Sequence, residues 1–180
     1  MNRYAVFLRA VNVSGKNPVP MAPLRAELEA AGCRGVKTYL QSGNLILDRS
    51  QADEGRLARL VMERIHARFG LEIQALALHG KELTRLRLAN PLWPKKGGDG
   101  KTFHATIPFS PVDAERFRSL ELPARKGERV VLERGILYLH CPDGYGDSKL
   151  TNAYFEKALG IVATTRNWNT LCALCDLLDA

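Results

Sequence analysis

Residues 36–47 of the chain, VKTYLQSGNLIL, predict two short strands joined by a tight polar turn. The runs 36–40 and 45–47 are rich in residues that favour strands, and the Gly43-Asn44 pair between them is typical of hairpin turns. This hairpin decides the fold because a strand and a helix are predicted before it and a helix and a strand after it.

The flanking elements complete a β-α-β-β-α-β order. Before the hairpin, residues 3–11 (RYAVFLRAV) form a β-rich run, and residues 20–31 carry apolar side chains at helical spacing. After it, residues 50–69 show helical spacing again, and residues 73–78 predict a closing strand. This order is that of the ferredoxin-like split motif.

The same order of elements is predicted a second time. Strands are expected at residues 102–107, 129–133, 136–141 and 161–165, and helices at 111–120, 148–159 and about 167–178. The predicted fold class is therefore α+β, with two tandem ferredoxin-like (β-α-β-β-α-β) subdomains plus a C-terminal helix. The predicted domains are residues 1–79, a helix and a Pro-, Gly- and Lys-rich linker at 80–100, and residues 101–180.

Composition and length indicate a globular protein. The 180 residues are 46% hydrophobic, which is enough for a sizeable core. We find no apolar run of roughly 20 residues that could span a membrane, and no signal peptide at the start. Four scattered cysteines are typical of a reducing compartment. We therefore expect a cytoplasmic protein without membrane association.

The positive charge is concentrated in the first half of the chain. Residues 1–100 hold 16 Lys and Arg against 9 Asp and Glu, whereas residues 101–180 hold 10 of each. Such an excess attracts anionic partners such as nucleic acid, phosphates or carboxylates, although it also serves solubility.

Polar loops follow strands one and two of the first predicted subdomain. Those two strands run parallel in the split motif, so both loops are expected at one edge of the sheet. The candidate ligand-binding residues there are Arg9, Asn12, Gly15, Lys16, Gln41, Ser42, Gly43 and Asn44. An alternative is that these glycine, asparagine and serine residues only form the turns, since turns favour the same residue types. For Arg9, the alternative is a structural ion pair.

A second polar edge is predicted in the other subdomain, where the loop 142–149 and the segment 164–167 each bring a cation to a helix start. Helix N-termini bind anions through unpaired N–H groups and the helix dipole. The candidate residues are Ser148, Lys149, Thr165, Arg166 and Asn167. The alternative is that these side chains only cap helices and that Arg166 is solvated.

Other chemistry is not indicated. Cys172 and Cys175 fall within an apolar helix pattern, and the four histidines show no metal-ligand spacing, so we expect no metal site. Neither a dinucleotide fingerprint nor a nucleophile elbow is present, so no cofactor is expected. The candidate residues bind and orient, but they include no evident general base, and the sequence does not decide whether the protein is an enzyme.

Three function hypotheses follow from these residues. The first is binding of a small phosphate- or carboxylate-bearing ligand at the polar loop edges or in a cleft between the subdomains. The second is a nucleic-acid binding module that uses the basic first half, although Tyr4 and Phe7 fall on opposite faces of strand one and the strand 45–47 has no aromatic residue to stack on bases. The third is a protein interaction or scaffold domain.

Three stretches resemble the bacterial proteins grouped as domain of unknown function 1697: FLRAVNVSGKNPVPM, TYLQSGNLIL and SKLTNAYFEKALGIVATTRNWNTL. The resemblance implies two α+β subdomains and no established activity. It marks sixteen positions: Arg9, Asn12, Gly15, Lys16, Met21, Leu24, Gln41, Ser42, Gly43, Asn44, Lys149, Thr165, Arg166, Asn167, Trp168 and Thr170. Ser14 stands where the family usually has glycine, which suggests that the loop tolerates a side chain there.

Overall fold

The computed structural model describes residues 1–13, 15–50 and 53–180. These residues form two four-stranded antiparallel sheets and six α-helices, and the predicted α+β class is confirmed. The chain divides into two compact units, Met1–Arg85 with Ala173–Ala180, and Leu86–Cys172. Within the described residues, we find no helix with the length and apolar character that a membrane crossing requires.

The first unit contains the sheet β2-β3-β1-β4, in which every neighbouring pair is antiparallel. Its elements are β1 (Asn2–Leu8), α1 (Met21–Ala30), β2 (Arg34–Tyr39), β3 (Asn44–Arg49), α2 (Glu54–Phe69), β4 (Ala75–His79) and the start of α3 (Gly80–Leu88). The central strand β1 therefore lies between β3 and β4. The residues before and after β1 therefore lie at opposite edges of the sheet.

Alternating side chains of β1 build the core of the first unit. Tyr4, Val6 and Leu8 are buried in one cluster with apolar residues of α1 and α2, so both helices cover the same face of the sheet. Successive strand residues point to opposite faces, which places these three together. Full burial of such a side chain contributes about 1.5 to 3 kcal/mol, so this face contributes strongly to the stability of the unit.

Two boundaries in the first unit differ from the prediction. β1 ends at Leu8 rather than at Val11, because Ala10 has a φ of 54° that no strand accommodates. α2 begins at Glu54, where the Asp53 side chain accepts a hydrogen bond from the Arg56 N–H and caps the helix. The predicted helix residues 51 and 52 lie outside the described residues.

The second unit contains the sheet β6-β7-β5-β8, again antiparallel throughout. Its elements are β5 (Phe103–Pro108), α4 (Ala114–Arg118), β6 (Arg129–Glu133), β7 (Ile136–His140), α5 (Asn152–Leu159), β8 (Ala163–Asn167) and the start of α6 (Trp168–Asp179). Leu137 and Leu139 of β7 pack in one buried cluster with Phe155 of α5, so α5 covers that face.

The start of α5 and the start of α6 both lie later in the chain than predicted. α5 begins at Asn152 instead of Ser148, because the Thr151 hydroxyl accepts from the Tyr154 N–H at 3.1 Å and caps the helix there. β8 continues to Asn167, since it pairs with β5 as far as His104. The segment 164–167 is therefore a strand, and α6 begins at Trp168.

Residues 90–100, predicted as a linker, pack against other residues of the second unit. The ring of Trp93 lies 5.1 Å from that of Phe103 and 5.6 Å from that of Trp168. A Cβ at Gly100 would lie 1.9 Å from Asn169 Oδ1, so the Asn169 side chain packs closely on the backbone of this segment. The proline and glycine residues of the segment 90–100 exclude a regular helix or strand there.

Candidate functional site

The loops after β1 and β2 meet at one edge of the first sheet, as predicted. We call residues 9–17 and 40–44 the loop edge; Ser14, where a tolerated side chain was predicted, lies outside the described residues. Arg9 does not lie inside β1 but follows it: its backbone N–H donates to Gln74 O at 2.9 Å, and its side chain is half-buried. The sequence placed Arg9 inside a strand, where a buried charge would need a partner; in the structure this residue belongs to the loop instead.

The Asn12 side chain ties the two loops together. Its Nδ2 donates to Gln41 O at 2.7 Å and to Val19 O at 3.0 Å, while its Oδ1 accepts from the Val19 N–H at 2.9 Å. Within the first loop, the Asn17 side chain donates to Ala10 O at 2.9 Å. All three bonding groups of one amide are thus used to fix the loop edge.

Unusual backbone conformations concentrate at the loop edge. Among the described residues, five that are not glycine have a positive φ, and four of these are in the loop edge: Ala10, Asn12, Asn17 and Leu40. Alanine and leucine have no side-chain hydrogen bond to offset the left-handed conformation, which costs about 1 to 2 kcal/mol for such residues. Strain of this kind is most common at functional sites, so the loop edge is the candidate site of the first unit.

Gly43 and Asn44 serve the structure of the loop edge. Gly43 has a φ of +75°, and a Cβ there would lie 2.6 Å from Leu8 Cβ, so no other residue fits. Asn44 is fully buried, and its Nδ2 donates to Tyr39 O at 3.0 Å and to Ser42 Oγ at 2.9 Å. Turn geometry accounts for these two positions.

The remaining candidate residues of the loop edge face solvent. Gly15, Lys16, Gln41 and Ser42 are exposed, and Lys16 is the exposed cation among them. The exposed apolar side chains Val13 and Leu40, at 55% and 58% exposure, belong to the same two loops. A ligand at the loop edge would therefore meet cationic, amide, hydroxyl and apolar groups together.

The predicted residues of the second edge are only partly brought together. Ser148 is buried: its hydroxyl accepts from the Leu150 N–H at 3.0 Å and hydrogen-bonds the Cys141 thiol. Lys149 is exposed, but it lies in the loop before α5 and not at the helix start.

Arg166 is buried in β8 and is not at a helix start. It is 8% exposed, and its guanidinium donates to Thr164 Oγ1 at 2.6 Å and to Thr165 O at 3.0 Å. Desolvation lowers the pKa of Arg166 to about 10. The predicted arrangement, in which Arg166 and Lys149 flank two neighbouring helix starts, does not match these positions.

Thr165 and Asn167 belong to a group of hydrogen-bonded side chains on the face of the second sheet that α5 covers. We call it the polar network; its members are His104, Thr106, Tyr145, Asn152, Thr165 and Asn167. Thr165 Oγ1 lies 2.7 Å from Thr106 Oγ1 and donates to Asn152 Oδ1 at 3.0 Å. The Tyr145 hydroxyl accepts from the Asn152 N–H at 2.9 Å.

His104 lies beneath Tyr145 in the polar network. The two rings stack with centroids 4.5 Å apart, and His104 Nε2 lies 3.3 Å from Asn167 Nδ2. Burial lowers the pKa of His104 to about 4, an effect that the nearby Thr102 backbone opposes in part. In the described part of the chain, His104 Nδ1 makes no hydrogen bond of normal geometry. His104 is therefore neutral at pH 7.

The positions of the first unit that correspond to Thr106 and Thr165 are apolar. Val6 on β1 pairs with Ala77 on β4, where Thr106 on β5 pairs with Thr165 on β8. Because the first unit has the same order of elements and strands, the fold itself does not require the polar network.

Two further predictions concern metal and nucleic acid. Across residues 1–13, 15–50 and 53–180, we find no group of three His, Cys, Asp or Glu side chains that could hold a metal ion. Tyr4 and Phe7, the aromatic residues of β1, are 2% and 0% exposed, so neither offers a ring for base stacking.

Sequence reasoning did not identify a group of basic residues at the other end of β1. Arg3, His79, Lys81 and Arg85 line a cavity of about 370 Å³ in the first unit. They belong to no motif, and nothing in the local sequence connects them. The signal that could have grouped them is the antiparallel pairing of β1 with β4, which brings the start of β1 to the end of β4.

Comparison with known proteins gives a family and a fold. Residues 1–138 match the family described as a protein of unknown function, DUF1697. The structure of the conserved bacterial protein SP0830 from Streptococcus pneumoniae is similar over 98% of both chains, with a TM-score of 0.75 at 22% identity. No match was found among curated proteins. The matched family region includes the whole loop edge.

Proposed function

The chain belongs to the DUF1697 family, and we propose that it binds a small phosphate- or carboxylate-bearing molecule at the loop edge of its first unit. The observation that carries the proposal is the cluster of four left-handed residues other than glycine in two adjoining loops. Asparagine adopts this conformation readily in turns, so the strain falls on Ala10 and Leu40, and strained backbone of this kind is most often found at binding sites, which supports the proposal.

The chemistry of the exposed groups selects the class of ligand. The exposed Lys16 and the half-buried Arg9 supply positive charge, and the Gln41 amide and the Ser42 hydroxyl supply hydrogen-bond donors. Gly15 leaves open space where a Cβ would stand, so a ligand can approach the backbone there. The bonds of Asn12 to Val19 and Gln41 hold the two loops in place before any ligand arrives, which lowers the entropic cost of binding.

The predicted residues of the second unit enter the proposal with a lesser role. Ser148, Thr165 and Asn167 are held by internal hydrogen bonds, and Arg166 is buried. Lys149 is the exposed member of that set. We therefore expect the first unit to provide the main contacts.

We propose that residues 1–79 and 101–180 form two ferredoxin-like subdomains, the second with the C-terminal helix, joined by the helix and linker at residues 80–100. The repeated element order and the strand order, fourth-first-third-second in each sheet, support this proposal. A cytoplasmic location also stays a prediction from the sequence.

A protein interaction role is the second candidate, and one observation favours it. Val13 and Leu40 expose apolar surface in the same two loops, where a protein partner could bury them. Nucleic-acid binding has less support, because the aromatic side chains of β1 are buried.

Thermal unfolding at constant ionic strength tests the proposed function. Inorganic phosphate, pyrophosphate, citrate and adenosine triphosphate are titrated against the wild type, Lys16→Ala and the control Arg64→Ala, which removes an exposed cation of α2. A bound anion stabilises by about 2.7 kcal/mol at a hundredfold excess over Kd. We expect at least one anion to raise the Tm of the wild type and the control, with a clearly smaller rise for Lys16→Ala.

Two results would contradict the proposal. One is the lack of any saturable shift for the wild type with all four anions. The other is an equal shift in Lys16→Ala and Arg64→Ala, because the anion would then bind away from the loop edge.

A further inference from the structure

A cavity of about 370 Å³ opens in the first unit, between the start of β1, the end of β4, the first turns of α3 and the end of α6. Its volume is at the small end of the roughly 300 to 1,000 Å³ that ligand pockets occupy. The polar and charged side chains used below are Arg3, His79, Lys81, Arg85 and Asp179, and Leu178 supplies an apolar wall.

Arg3 is fixed in the cavity wall. Its Nε donates to Asp48 Oδ1 at 2.9 Å, and its Nη1 donates to Leu178 O at 2.8 Å. The first contact comes from β3, the neighbour of β1, and the second from the last turn of α6. A guanidinium held from two sides loses little side-chain entropy when it binds a ligand, so it is prepared to contact an anion.

The start of α3 forms another part of the wall. α3 begins at Gly80, directly after β4, and the Lys81 N–H donates to His79 Nδ1 at 3.2 Å. A Cβ at Gly80 would lie 3.3 Å from both Arg3 O and Leu178 Cδ2, so glycine brings this helix start close to β1 and α6. Lys81 and Arg85, one helical turn apart, both reach the cavity.

The charges that line the cavity do not balance. Three basic side chains, Arg3, Lys81 and Arg85, share the lining with one carboxylate, Asp179. The ion-pair partners Asp48 and Glu82 neutralise Arg3 and Arg85 in part, but neither is among the lining residues. The lining side chains alone carry two more positive than negative charges, and the carboxylates behind Arg3 and Arg85 reduce this excess, so Lys81 is the cation of the lining for which no ion pair is seen within the described residues. A phosphate monoester, with a charge of roughly −1.5 to −2 at pH 7, draws more from three converging basic donors than a single carboxylate does.

We propose that this cavity binds a small phosphate monoester, with Arg3, Lys81 and Arg85 around the phosphate and Leu178 against its organic part. The site is separate from the loop edge. Arg3 and Arg9 stand near opposite ends of β1, six residues apart, which is about 20 Å at about 3.3 Å per strand residue. The proposal does not rest on the proposed function, because different residues and a different sheet edge carry it.

Amide NMR with phenyl phosphate as the probe tests this inference on the full chain. Benzoate, which carries the same ring on a single negative charge, is the matched comparison at the same ionic strength. We expect phenyl phosphate to shift the amide signals of Gly80, Lys81 and Thr84 in a saturable way. The affinity for benzoate should be lower than that for phenyl phosphate by about tenfold or more, because a charge-assisted contact is lost.

Variants locate the binding and separate it from the loop edge. Lys81→Ala and Arg85→Ala, both on the exposed side of α3, should each weaken phenyl phosphate about tenfold. Lys16→Ala should leave that affinity unchanged. Equal binding of benzoate, shifts confined to Gly15, Lys16 and Ser42, or no effect of Lys81→Ala and Arg85→Ala would each overturn the inference.

Discussion

Acid should destabilise the second unit through His104. Burial holds the pKa of this ring at about 4 in the folded protein, against 6.5 for an exposed histidine. As the pH falls, the unfolded chain binds the proton first, so stability is lost progressively below pH 6.5 until the pH approaches 4. The linkage relation gives a loss of about 2 kcal/mol at pH 5 and a ceiling of about 3 kcal/mol.

Removal of the ring measures this contribution. Urea unfolding is followed at pH 7.5 and at pH 5 in the wild type and in His104→Gln, by tryptophan fluorescence. Trp93 and Trp168, the two tryptophans of the chain, both belong to the second unit, so the signal reports on the unit that contains His104. We expect the stability lost between the two pH values to be about 2 kcal/mol smaller in the variant.

The comparison does not depend on the absolute stability of the variant, which also loses the stack on Tyr145. His66→Gln is the control, because this ring is exposed on α2 and its removal takes no buried group out of the protein. If the wild type and His104→Gln lose the same stability between pH 7.5 and pH 5, burial does not lower the pKa of His104 in the folded protein, and the reasoning is refuted.

Two further predictions concern the predicted site residues. Gly43→Ala should destabilise the protein by about 2 to 5 kcal/mol, because it adds both left-handed strain and an overlap with Leu8. Gly15→Ala has a similar φ of +74° but meets no atom within 4 Å, so it should cost only about 1 to 2 kcal/mol; equal losses in urea unfolding would refute the overlap argument. Arg166→Ala should lower stability by about 2 kcal/mol or more, because it removes buried charge-assisted hydrogen bonds, whereas exposed Lys149→Ala should stay within about 0.5 kcal/mol. A stability of Arg166→Ala close to that of the wild type would show that this side chain is not buried in solution.

Local sequence patterns were sufficient to predict the elements. The β-rich run at residues 3–11 predicted β1, and the Gly43-Asn44 pair predicted the hairpin turn. These signals are local because strand pleat and turn conformation depend on neighbouring residues. The predicted meeting of the loops after β1 and β2 followed from strand direction alone, and the bond between Asn12 and Gln41 agrees with it.

Features that depend on distant contacts were not predicted. The burial of Arg166 follows from the pairing of β8 with β5, opposite Ala105, and a polar run before a helix gave no sign of it. The cavity wall at Arg3 depends on a contact with Leu178, at the other end of the chain. The burial of His104 was not predicted, because the ring that stacks on it, Tyr145, comes from a loop far along the sequence.

The most direct test of the proposed function is the position of a bound anion on the wild-type protein. Amide signals are followed by NMR during a titration with whichever of the four anions gives the largest thermal shift. We predict saturable changes at Gly15, Lys16, Gln41 and Ser42, with a Kd that matches the thermal data, and little change at Lys149 or Thr165. Saturable changes that leave the loop edge untouched would contradict the account, because the strained loops would then hold no ligand.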